Sequence, residues 1–323
     1  MNRVLLSDSI AAAGEEVLAR AAEIVRAPDS DPATLKRFAV DADGIITRSK
    51  LPDDIFEAGP KLRAVVIHGT GTDLVPLASA TAHGVAVANL PGINAQSVAE
   101  YCAMAMLMLA RGIVSITNTL RTDSWDKARS LGANARELAA MTVGIVGVGQ
   151  IGTRLARLCH HGFNMRVLGH QRRIEDLPAE ARPASLDDLL RESDFVVLAC
   201  PLTPETRYLM NPRTLGLMKP SAWLINIGRG AVVQEEALIG VLKEKRIAGA
   251  MLDVYEHYRL APGHPLFSFD NVILTPHLAA VTKESRSRAS VAAAHEMLRI
   301  LAGERPHNLV NPEAWGKVRS LQP

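Results

Sequence analysis

A glycine-rich segment near the middle of the chain has the spacing of a turn that binds phosphate groups. An apolar run, Val143–Val146, leads directly into residues 147–152, and a helical pattern follows over residues 153–158. In such a strand–turn–helix, one glycine makes the tight turn, one lets the backbone approach a pyrophosphate, and one lets helix and strand pack closely. The helix N-terminus then faces the anion. We therefore predict a dinucleotide-binding turn, rather than a turn without a ligand, with contacts at Gly147, Gly149, Gln150, Ile151 and Gly152.

The loop after the next predicted strand, Arg166–Leu168, indicates which dinucleotide is bound. An NAD site usually has a carboxylate about 20 residues beyond the glycine turn, where it binds the ribose 2′-hydroxyl. In this chain the corresponding segment contains two arginines and no carboxylate: His170, Gln171, Arg172 and Arg173. An acid would repel a 2′-phosphate, whereas arginine binds phosphate through paired hydrogen bonds. The loop favours NADP(H) over NAD(H), with solvated loop charges as the alternative interpretation.

An arginine, a histidine and a second glycine-rich loop also follow predicted strands. Arg229 and His277 follow strands in the second half, and Gly69-Thr70-Gly71 follows one in the first half. Open α/β sheets bind ligands at the carboxyl ends of their strands. An arginine can hold a carboxylate and polarise the neighbouring carbonyl, a histidine can donate a proton, and loop amides can hold another carboxylate oxygen. Reduction of a 2-oxo acid by hydride requires these parts. Taken alone, an arginine at a strand end more often forms a structural ion pair, and a histidine is more often a hydrogen-bonded loop residue.

The elements that must position these residues alternate between short apolar strands and helical stretches. In the first half the predicted strands are Val4–Leu6, Glu23–Val25, Gly44–Thr47, Ala64–Ile67 and Val85–Ala88. In the second half they are Val143–Val146, Arg166–Leu168, Phe195–Leu198, Ala222–Ile227, Ala250–Asp253 and Val272–Thr275. Helices are predicted at Ala11–Ala22, Pro32–Ala39, Val98–Leu120 and Lys283–Leu301. This alternation predicts an α/β protein with two doubly wound parallel-sheet domains, the second with six strands.

Composition argues against several classes of protein. The 36 Lys and Arg residues nearly balance 34 Asp and Glu, so no strong field attracts nucleic acid or an anionic membrane. The longest apolar stretch, Val98–Leu109, contains Glu100 and is too short to span a bilayer. Three scattered cysteines argue against a disulfide framework, and the N-terminal apolar run ends too early for a signal peptide. We therefore expect a cytoplasmic protein, and the histidine spacing predicts no metal site.

Seven short segments occur in order along almost the whole chain: residues 68–73 (HGTGTD), 97–100 (SVAE), 145–152 (IVGVGQIG), 201–206 (PLTPET), 225–230 (INIGRG), 252–255 (LDVY) and 275–277 (TPH). In these segments the sequence resembles the D-isomer-specific 2-hydroxyacid dehydrogenase family, and within it the NADPH-type glyoxylate/hydroxypyruvate reductases. The resemblance implies two Rossmann-like domains, a cofactor domain (98–284) inserted into a flavodoxin-like substrate domain (1–97 and 285–323). It also implies a homodimer whose interface contains the first helices of the cofactor domain.

The resemblance assigns roles to individual residues. Arg229 matches the arginine that holds the substrate carboxylate, His277 the acid/base histidine, and Asp253 the position that contacts the nicotinamide carboxamide. Substrate-loop and cleft positions are expected at Gly69, Thr70, Gly71, Asn94 and Ser97. Further cofactor contacts are expected at Cys200, Pro201, Thr206, Ile227, Gly228 and Ala279.

One position departs from the family pattern. A glutamate normally lies five residues after the aspartate of the Leu-Asp-Val motif and hydrogen-bonds the catalytic histidine, but here that position is Tyr258. In one interpretation the Tyr258 hydroxyl orients His277 without charging it. In another, the loop rearranges and Glu256 supplies the carboxylate. A third leaves Tyr258 packed on the loop, with water orienting the histidine.

The expected function is NADPH-preferring reduction of a small 2-oxo acid to the D-2-hydroxy acid, with glyoxylate or hydroxypyruvate as first candidates. His277 would donate the proton and Arg229 would hold the carboxylate. The alternative within enzymes is an NAD-linked dehydrogenase, such as one for 3-phosphoglycerate. A cofactor-sensing, corepressor-like scaffold with little turnover is the alternative from another class.

Overall fold

The computed structural model describes residues 1–318, in which strands and helices alternate along the chain. The strands are β1 (Asn2–Leu6), β2 (Ala22–Arg26), β3 (Gly44–Thr47), β4 (Ala64–Ile67), β5 (Ala86–Ala88), β6 (Thr142–Val146), β7 (Arg166–His170), β8 (Arg182–Pro183), β9 (Phe195–Leu198), β10 (Trp223–Asn226), β11 (Gly249–Leu252) and β12 (Val272–Leu274). The helices are α1 (Ala12–Ala19), α2 (Pro32–Ala39), α3 (Ile55–Ala58), α4 (Leu77–Ala82), α5 (Ala95–Arg111), α6 (Ile113–Thr122), α7 (Trp125–Leu131), α8 (Gln150–Arg157), α9 (Leu186–Glu192), α10 (Pro212–Leu215), α11 (Glu235–Lys243) and α12 (Lys283–Leu301).

The chain forms two compact units. The first consists of Met1–Asn94 and the chain from Val281 onward, and the second consists of Ala95–Ala280. The predicted domain boundaries, after residues 97 and 284, lie a few residues further along the chain.

The first unit has a five-stranded parallel sheet in the order β2-β1-β3-β4-β5. This is the order of the flavodoxin-like doubly wound fold. Each strand contributes side chains to two apolar layers, one on each face of the sheet. In β4, Ala64 and Val66 lie in one layer, and Val65 and Ile67 lie in the other. Helix α12 covers the first of these layers with Ala293 and Met297. Because both faces are buried there, β3, β4 and β5 are mostly apolar runs.

The second unit has a seven-stranded parallel sheet in the order β12-β11-β10-β9-β6-β7-β8. From β8 to β11 this is the strand order of a dinucleotide-binding sheet, and β12 extends it by one. The expected six strands are therefore one too few. The missing strand is β8, which contains only Arg182–Pro183, and both residues are exposed. Two exposed polar or imino residues give no apolar pattern from which a strand can be predicted.

The predicted single helix over Val98–Leu120 is wrong. Gly112, with φ +60°, separates α5 from α6, and the two helices bend by 56°. A left-handed backbone ends a helix, and glycine adopts it without steric cost. Among the described residues, no single helix has the length and apolarity of a membrane span, although this bent pair meets the criteria jointly.

Candidate active site

The three glycines of the predicted phosphate-binding turn occupy three different environments. Gly147 has φ +92°, and a Cβ there would lie 2.6 Å from the backbone nitrogen of Cys200. A Cβ on Gly152 would lie 2.6 Å from the carbonyl oxygen of Gly147, so α8 can pack against the turn only without a side chain. A Cβ on Gly149 would meet no heavy atom within 4 Å. The turn therefore combines a tight bend, a close helix contact and an open backbone surface.

This open surface fits a pyrophosphate. Gly149 is the N-cap residue of α8, and no side chain caps the helix there. The Gly147 N–H donates to the carbonyl of His170 at 2.9 Å, which fixes the turn against the end of β7. The first-turn amides of α8 and the positive end of the helix dipole are the groups that bind phosphate oxygens. The turn at Gly147–Gly152 would hold the dinucleotide.

The loop after β7 contains the two arginines expected to bind a 2′-phosphate. Arg173 pairs with Asp176 at 2.9 Å, and its side chain is 78% exposed. Arg172 is also exposed. The hydrogen bond with Thr203 lowers the pKa of Glu205, and the charge of Arg172 adds to that lowering. The charge of Arg172 is thus felt by a carboxylate on the loop after β9, whereas Arg173 already has a carboxylate partner.

The neighbouring residues of this loop are held by the backbone. His170 Nδ1 lies 3.1 Å from the carbonyl oxygen of Ala184, and the Gln171 amide donates to the carbonyl of Arg173 at 2.7 Å.

The loop after β9 packs against the glycine turn. Cys200 is buried, which raises the pKa of its thiol to about 11 and keeps it neutral. The Thr206 hydroxyl donates to the carbonyl of Pro201 at 2.7 Å and accepts from the Thr203 N–H at 2.7 Å. The loop is thus a hydrogen-bonded turn, which the Pro-Leu-Thr-Pro-Glu-Thr segment alone does not show.

Arg229 lies at the carboxyl end of β10, on a turn held from both sides by glycine contacts. A Cβ on Gly228 would lie 2.7 Å from the Cys200 carbonyl oxygen, and one on Gly230 would overlap the Tyr255 carbonyl group. The Arg229 side chain is half-buried and donates to the carbonyl of Gly228 at 2.9 Å. The Asn226 amide also donates to the carbonyl of Arg229 at 3.1 Å. The arginine backbone therefore has little freedom to move.

His277 lies just beyond β12 in an unusual backbone conformation. Its φ is +58°, although it is not a glycine, and its N–H donates to the Asp253 carbonyl at 2.9 Å. The side chain is exposed. A left-handed conformation of a non-glycine residue costs on the order of 1–3 kcal/mol and persists where the surroundings enforce it. Such positions cluster at functional sites.

Asp253 holds the loop that carries His277. Its carboxylate is buried and accepts hydrogen bonds from the Thr275 hydroxyl at 2.7 Å, the Leu278 N–H at 2.7 Å and the Ala279 N–H at 2.8 Å. The Tyr101 hydroxyl forms a hydrogen bond with the same Thr275 hydroxyl. Sequence reasoning did not identify Tyr101 and Thr275 as part of the site. Three acceptor positions of Asp253 are thus used by the protein, and a carboxylate has about four.

The two residues considered as assistants of His277 occupy different environments. The Tyr258 side chain is 75% exposed. The Glu256 carboxylate accepts from the Tyr208 hydroxyl and, at 3.0 Å, from the N–H of Glu235 at the start of α11. These partners give Glu256 a role in joining segments of the second unit.

In the first unit, the predicted substrate loop lies at the carboxyl end of β4. The Leu90 N–H donates to the Gly69 carbonyl at 2.8 Å, and the Asn89 amide donates to the Thr70 carbonyl at 2.6 Å. A Cβ on Gly69 would meet no heavy atom within 4 Å, so the loop backbone has an open side there. The amide oxygen of Asn94 is buried and has no hydrogen-bond partner among residues 1–318. A ligand that donates a hydrogen bond would satisfy it.

His68, which precedes this loop, stays neutral. Burial, followed by the positive charge of Arg48, lowers its pKa to about 4, and Arg286 adds to the effect. Its Nε2 lies 2.8 Å from the Ser290 hydroxyl on α12. This environment cannot be read from the local sequence, because Arg286 and Ser290 lie more than 200 residues away along the chain.

Within the second unit, the structure brings most of the predicted residues to one edge of the sheet. The glycine turn follows β6, Arg229 follows β10, Asp253 follows β11 and His277 follows β12. Ile227 and Ala279 are buried beside these turns, and Ser97 is buried on α5. Within residues 1–318 no group of His, Cys, Asp and Glu side chains is arranged to hold a metal ion.

Known proteins share the sequence and the fold of this chain over most of its length. Residues 103–279 match the family described as D-isomer specific 2-hydroxyacid dehydrogenase, NAD binding domain. A glyoxylate reductase of Aeropyrum pernix is 40% identical over 300 residues, covering 88% of each chain. The crystal structure of an NADPH-dependent glyoxylate/hydroxypyruvate reductase from Sinorhizobium meliloti has a TM-score of 0.84 and 28% identity, covering 97% of this chain and 99% of that one. An NAD-dependent formate dehydrogenase from Staphylococcus aureus has a TM-score of 0.85 and 26% identity, with 96% and 99% covered.

The chain belongs to the D-isomer specific 2-hydroxyacid dehydrogenase family, because the family match spans more than half of it and the relative covers most of it. It is an oxidoreductase with a nicotinamide dinucleotide domain. The predicted family, fold class and enzyme class are confirmed.

Proposed function

We propose that the protein reduces a small 2-oxo acid, with glyoxylate and hydroxypyruvate as first candidates, to the D-2-hydroxy acid and prefers NADPH. The observation that carries the proposal is the placement of Arg229 and His277 after strands of the same sheet as the glycine turn. The relative from Aeropyrum pernix and the structure from Sinorhizobium meliloti support the substrate class.

The roles of the residues follow from their chemistry. When bound, a reduced nicotinamide would supply the hydride. Arg229 binds the substrate carboxylate through paired hydrogen bonds and stabilises charge that develops on the neighbouring carbonyl oxygen. His277 donates a proton to that oxygen. Gly69, Thr70 and Gly71, through their backbone amides, and Asn94 are our further candidates for substrate binding.

Two residues support His277 in this proposal. Asp253 fixes the backbone of its loop, and its remaining acceptor position would be available to the nicotinamide carboxamide. Tyr258 orients the imidazole without adding a charge, so it favours the neutral ring more than a glutamate would. Tyr258→Phe is expected to lower the rate of reduction, whereas an unchanged rate and pH profile would remove this role.

Arg172 is the principal candidate for the 2′-phosphate. Arg173 pairs with Asp176, whereas Arg172 contributes only a smaller lowering of the Glu205 pKa. Phosphate binding by arginine needs a guanidinium whose fork is not already engaged. The preference for NADPH therefore depends more on Arg172 than on Arg173, and NAD(H) binds the same site less well.

We propose a homodimer formed through the first helices of the second unit. Helix α6 has no buried residue. Large apolar side chains are exposed on this part of the chain at Met104, Leu107, Ile113, Leu120 and Trp125. Exposed apolar groups of this extent are typical of an interface. We also place the enzyme in the cytoplasm, where the free buried thiols Cys102, Cys159 and Cys200 stay reduced.

The proposal is tested by steady-state oxidation of NADPH and NADH with glyoxylate and hydroxypyruvate. A higher kcat/KM with NADPH than with NADH supports it. Preference for NADH would favour an NAD-linked dehydrogenase instead. Binding of cofactor without turnover of any 2-oxo acid would favour the corepressor-like scaffold.

A further inference from the structure

Glu256 joins three segments of the second unit. Its Oε1 accepts from the Tyr208 hydroxyl, and its Oε2 accepts from the Glu235 N–H at 3.0 Å. The Glu235 carboxylate in turn accepts the Glu256 N–H at 3.4 Å and pairs with His264 at 3.2 Å. Glu256 is thereby tied to the loop before α10 and to the N-terminus of α11.

Both ends of this network touch the turn that carries Arg229. The Tyr208 N–H donates to the Ala231 carbonyl at 2.8 Å. On the other side, the backbone of Tyr255 and Glu256 lies so close to Gly230 that a Cβ on the glycine would overlap it. The turn at 229–232 therefore lies between the Tyr208 segment and the Tyr255–Glu256 segment, which the Glu256 carboxylate links.

The network depends on the charge of Glu256. Partial burial opposes ionisation, but the hydrogen bonds from the Tyr208 hydroxyl and the Glu235 amide lower the pKa of Glu256 overall. The same bond raises the pKa of the Tyr208 hydroxyl, which stays protonated and donates. Hydrogen bonds to an ionised acceptor are stronger than those between neutral groups.

We propose that Glu256 is a positioning residue for Arg229. It holds the Tyr255–Glu256 backbone against Gly230 and so fixes the turn from which Arg229 reaches the 2-oxo acid carboxylate. This inference rests on the proposed function. In it, Glu256 supports the binding of the substrate carboxylate through Arg229 and does not act on the proton transfer by His277.

The test compares Glu256→Gln and Tyr208→Phe with the control Glu236→Gln. Glu236 lies in the same first turn of α11 and is exposed, so its variant removes an equal charge and leaves the network intact. Each network variant is expected to lower kcat/KM for glyoxylate about tenfold, since one charge-assisted hydrogen bond is lost. The KM for NADPH and the pH midpoint of kcat/KM stay at the wild-type values. The double variant should lose little more than either single one, because both remove the same bond.

Three results would overturn the inference. A shifted pH midpoint in Glu256→Gln would place the carboxylate on His277. Wild-type kcat/KM in both network variants would show that the turn does not need the network. An equal loss in Glu236→Gln would show a general charge effect.

Hydrogen exchange of residues 228–234 makes the test independent of turnover. Loosening of this turn in Tyr208→Phe, and not in the control, supports positioning even if the wild-type enzyme reduces no 2-oxo acid. That lack of turnover would count against the proposed function alone. Unchanged exchange in both network variants contradicts the positioning role. Tyr208→Phe removes only a hydroxyl, so it keeps the test decisive if Glu256→Gln fails to fold.

Discussion

Asp253→Asn tests how the loop of His277 is held. In the variant, the asparagine carbonyl can take the place of Oδ1 and keep the hydrogen bonds from Thr275 and Leu278. Its NH2 group then faces the Ala279 N–H, which in the wild-type protein donates to Oδ2 at 2.8 Å. The loop loses one hydrogen bond to a charged acceptor, which contributes about 1.5–3 kcal/mol to stability, and the Ala279 N–H is left without a partner. This loss is as large as the strain of the His277 backbone, on the order of 1–3 kcal/mol.

We therefore expect the loop to relax and His277 to leave its productive position. The predicted fall in kcat is about 100-fold, which corresponds to about 2.7 kcal/mol. The assay is steady-state oxidation of NADPH at saturating glyoxylate and varied NADPH concentration, beside thermal unfolding. Asp270→Asn, which changes an exposed carboxylate, is the control and should behave as wild type. If Asp253→Asn keeps its kcat and only the KM for NADPH rises, Asp253 acts on the nicotinamide and the reasoning about the loop is refuted.

Three further predictions concern the cofactor loop, the first unit and its pH response. Arg172→Ala should lower the ratio of kcat/KM for NADPH to kcat/KM for NADH by about tenfold. Arg173→Ala should lower this ratio less, because Arg173 pairs with Asp176. A larger loss in Arg173→Ala than in Arg172→Ala would contradict the assignment of the 2′-phosphate to Arg172. Asn89→Ala removes the 2.6 Å hydrogen bond to the Thr70 carbonyl. It should raise the KM for glyoxylate and leave the KM for NADPH unchanged. Equal changes in both KM values would rule out a local effect on the substrate loop. The pKa of His68 falls from an ordinary value of 6.5 to about 4 on folding, so the unfolded chain binds more protons between these values. In urea unfolding, the free energy of unfolding should therefore fall as the pH drops from about 6.5 to about 4, by at most about 1.4 kcal/mol per pH unit. His68→Gln should reduce this dependence on pH. The same dependence in His68→Gln and in the wild type would exclude His68 as its cause.

The sequence predicts best where burial and local chemistry agree. β3, β4 and β9 have the predicted bounds, because each is a short run of buried residues between polar turns. The three glycines of the phosphate-binding turn also have the environments that their spacing indicates. Such features depend on neighbours along the chain, so one segment is sufficient to predict them.

The remaining features depend on long-range contacts or on single backbone angles. Gly112 breaks a helix that its apolar neighbours favour, and β8 is too short to give a pattern. The clamp of Asp253 on residues 275–279 and the connection from Glu256 to Tyr208 join residues from separate elements. Hydrogen-bond partners of this kind follow from the tertiary structure and have no signature in the local sequence.

The central claim is that Arg229 and His277 carry out the reduction of a 2-oxo acid. The most direct measurement is the steady-state rate of NADPH oxidation, at varied glyoxylate concentration, by the wild-type enzyme, by His277→Gln and by Arg229→Lys. The account predicts a loss of at least about 100-fold in kcat for His277→Gln, because general acid catalysis contributes about that much or more. It predicts for Arg229→Lys a higher KM for glyoxylate, because lysine lacks the planar fork. A wild-type kcat in His277→Gln together with a wild-type KM for glyoxylate in Arg229→Lys would contradict the account.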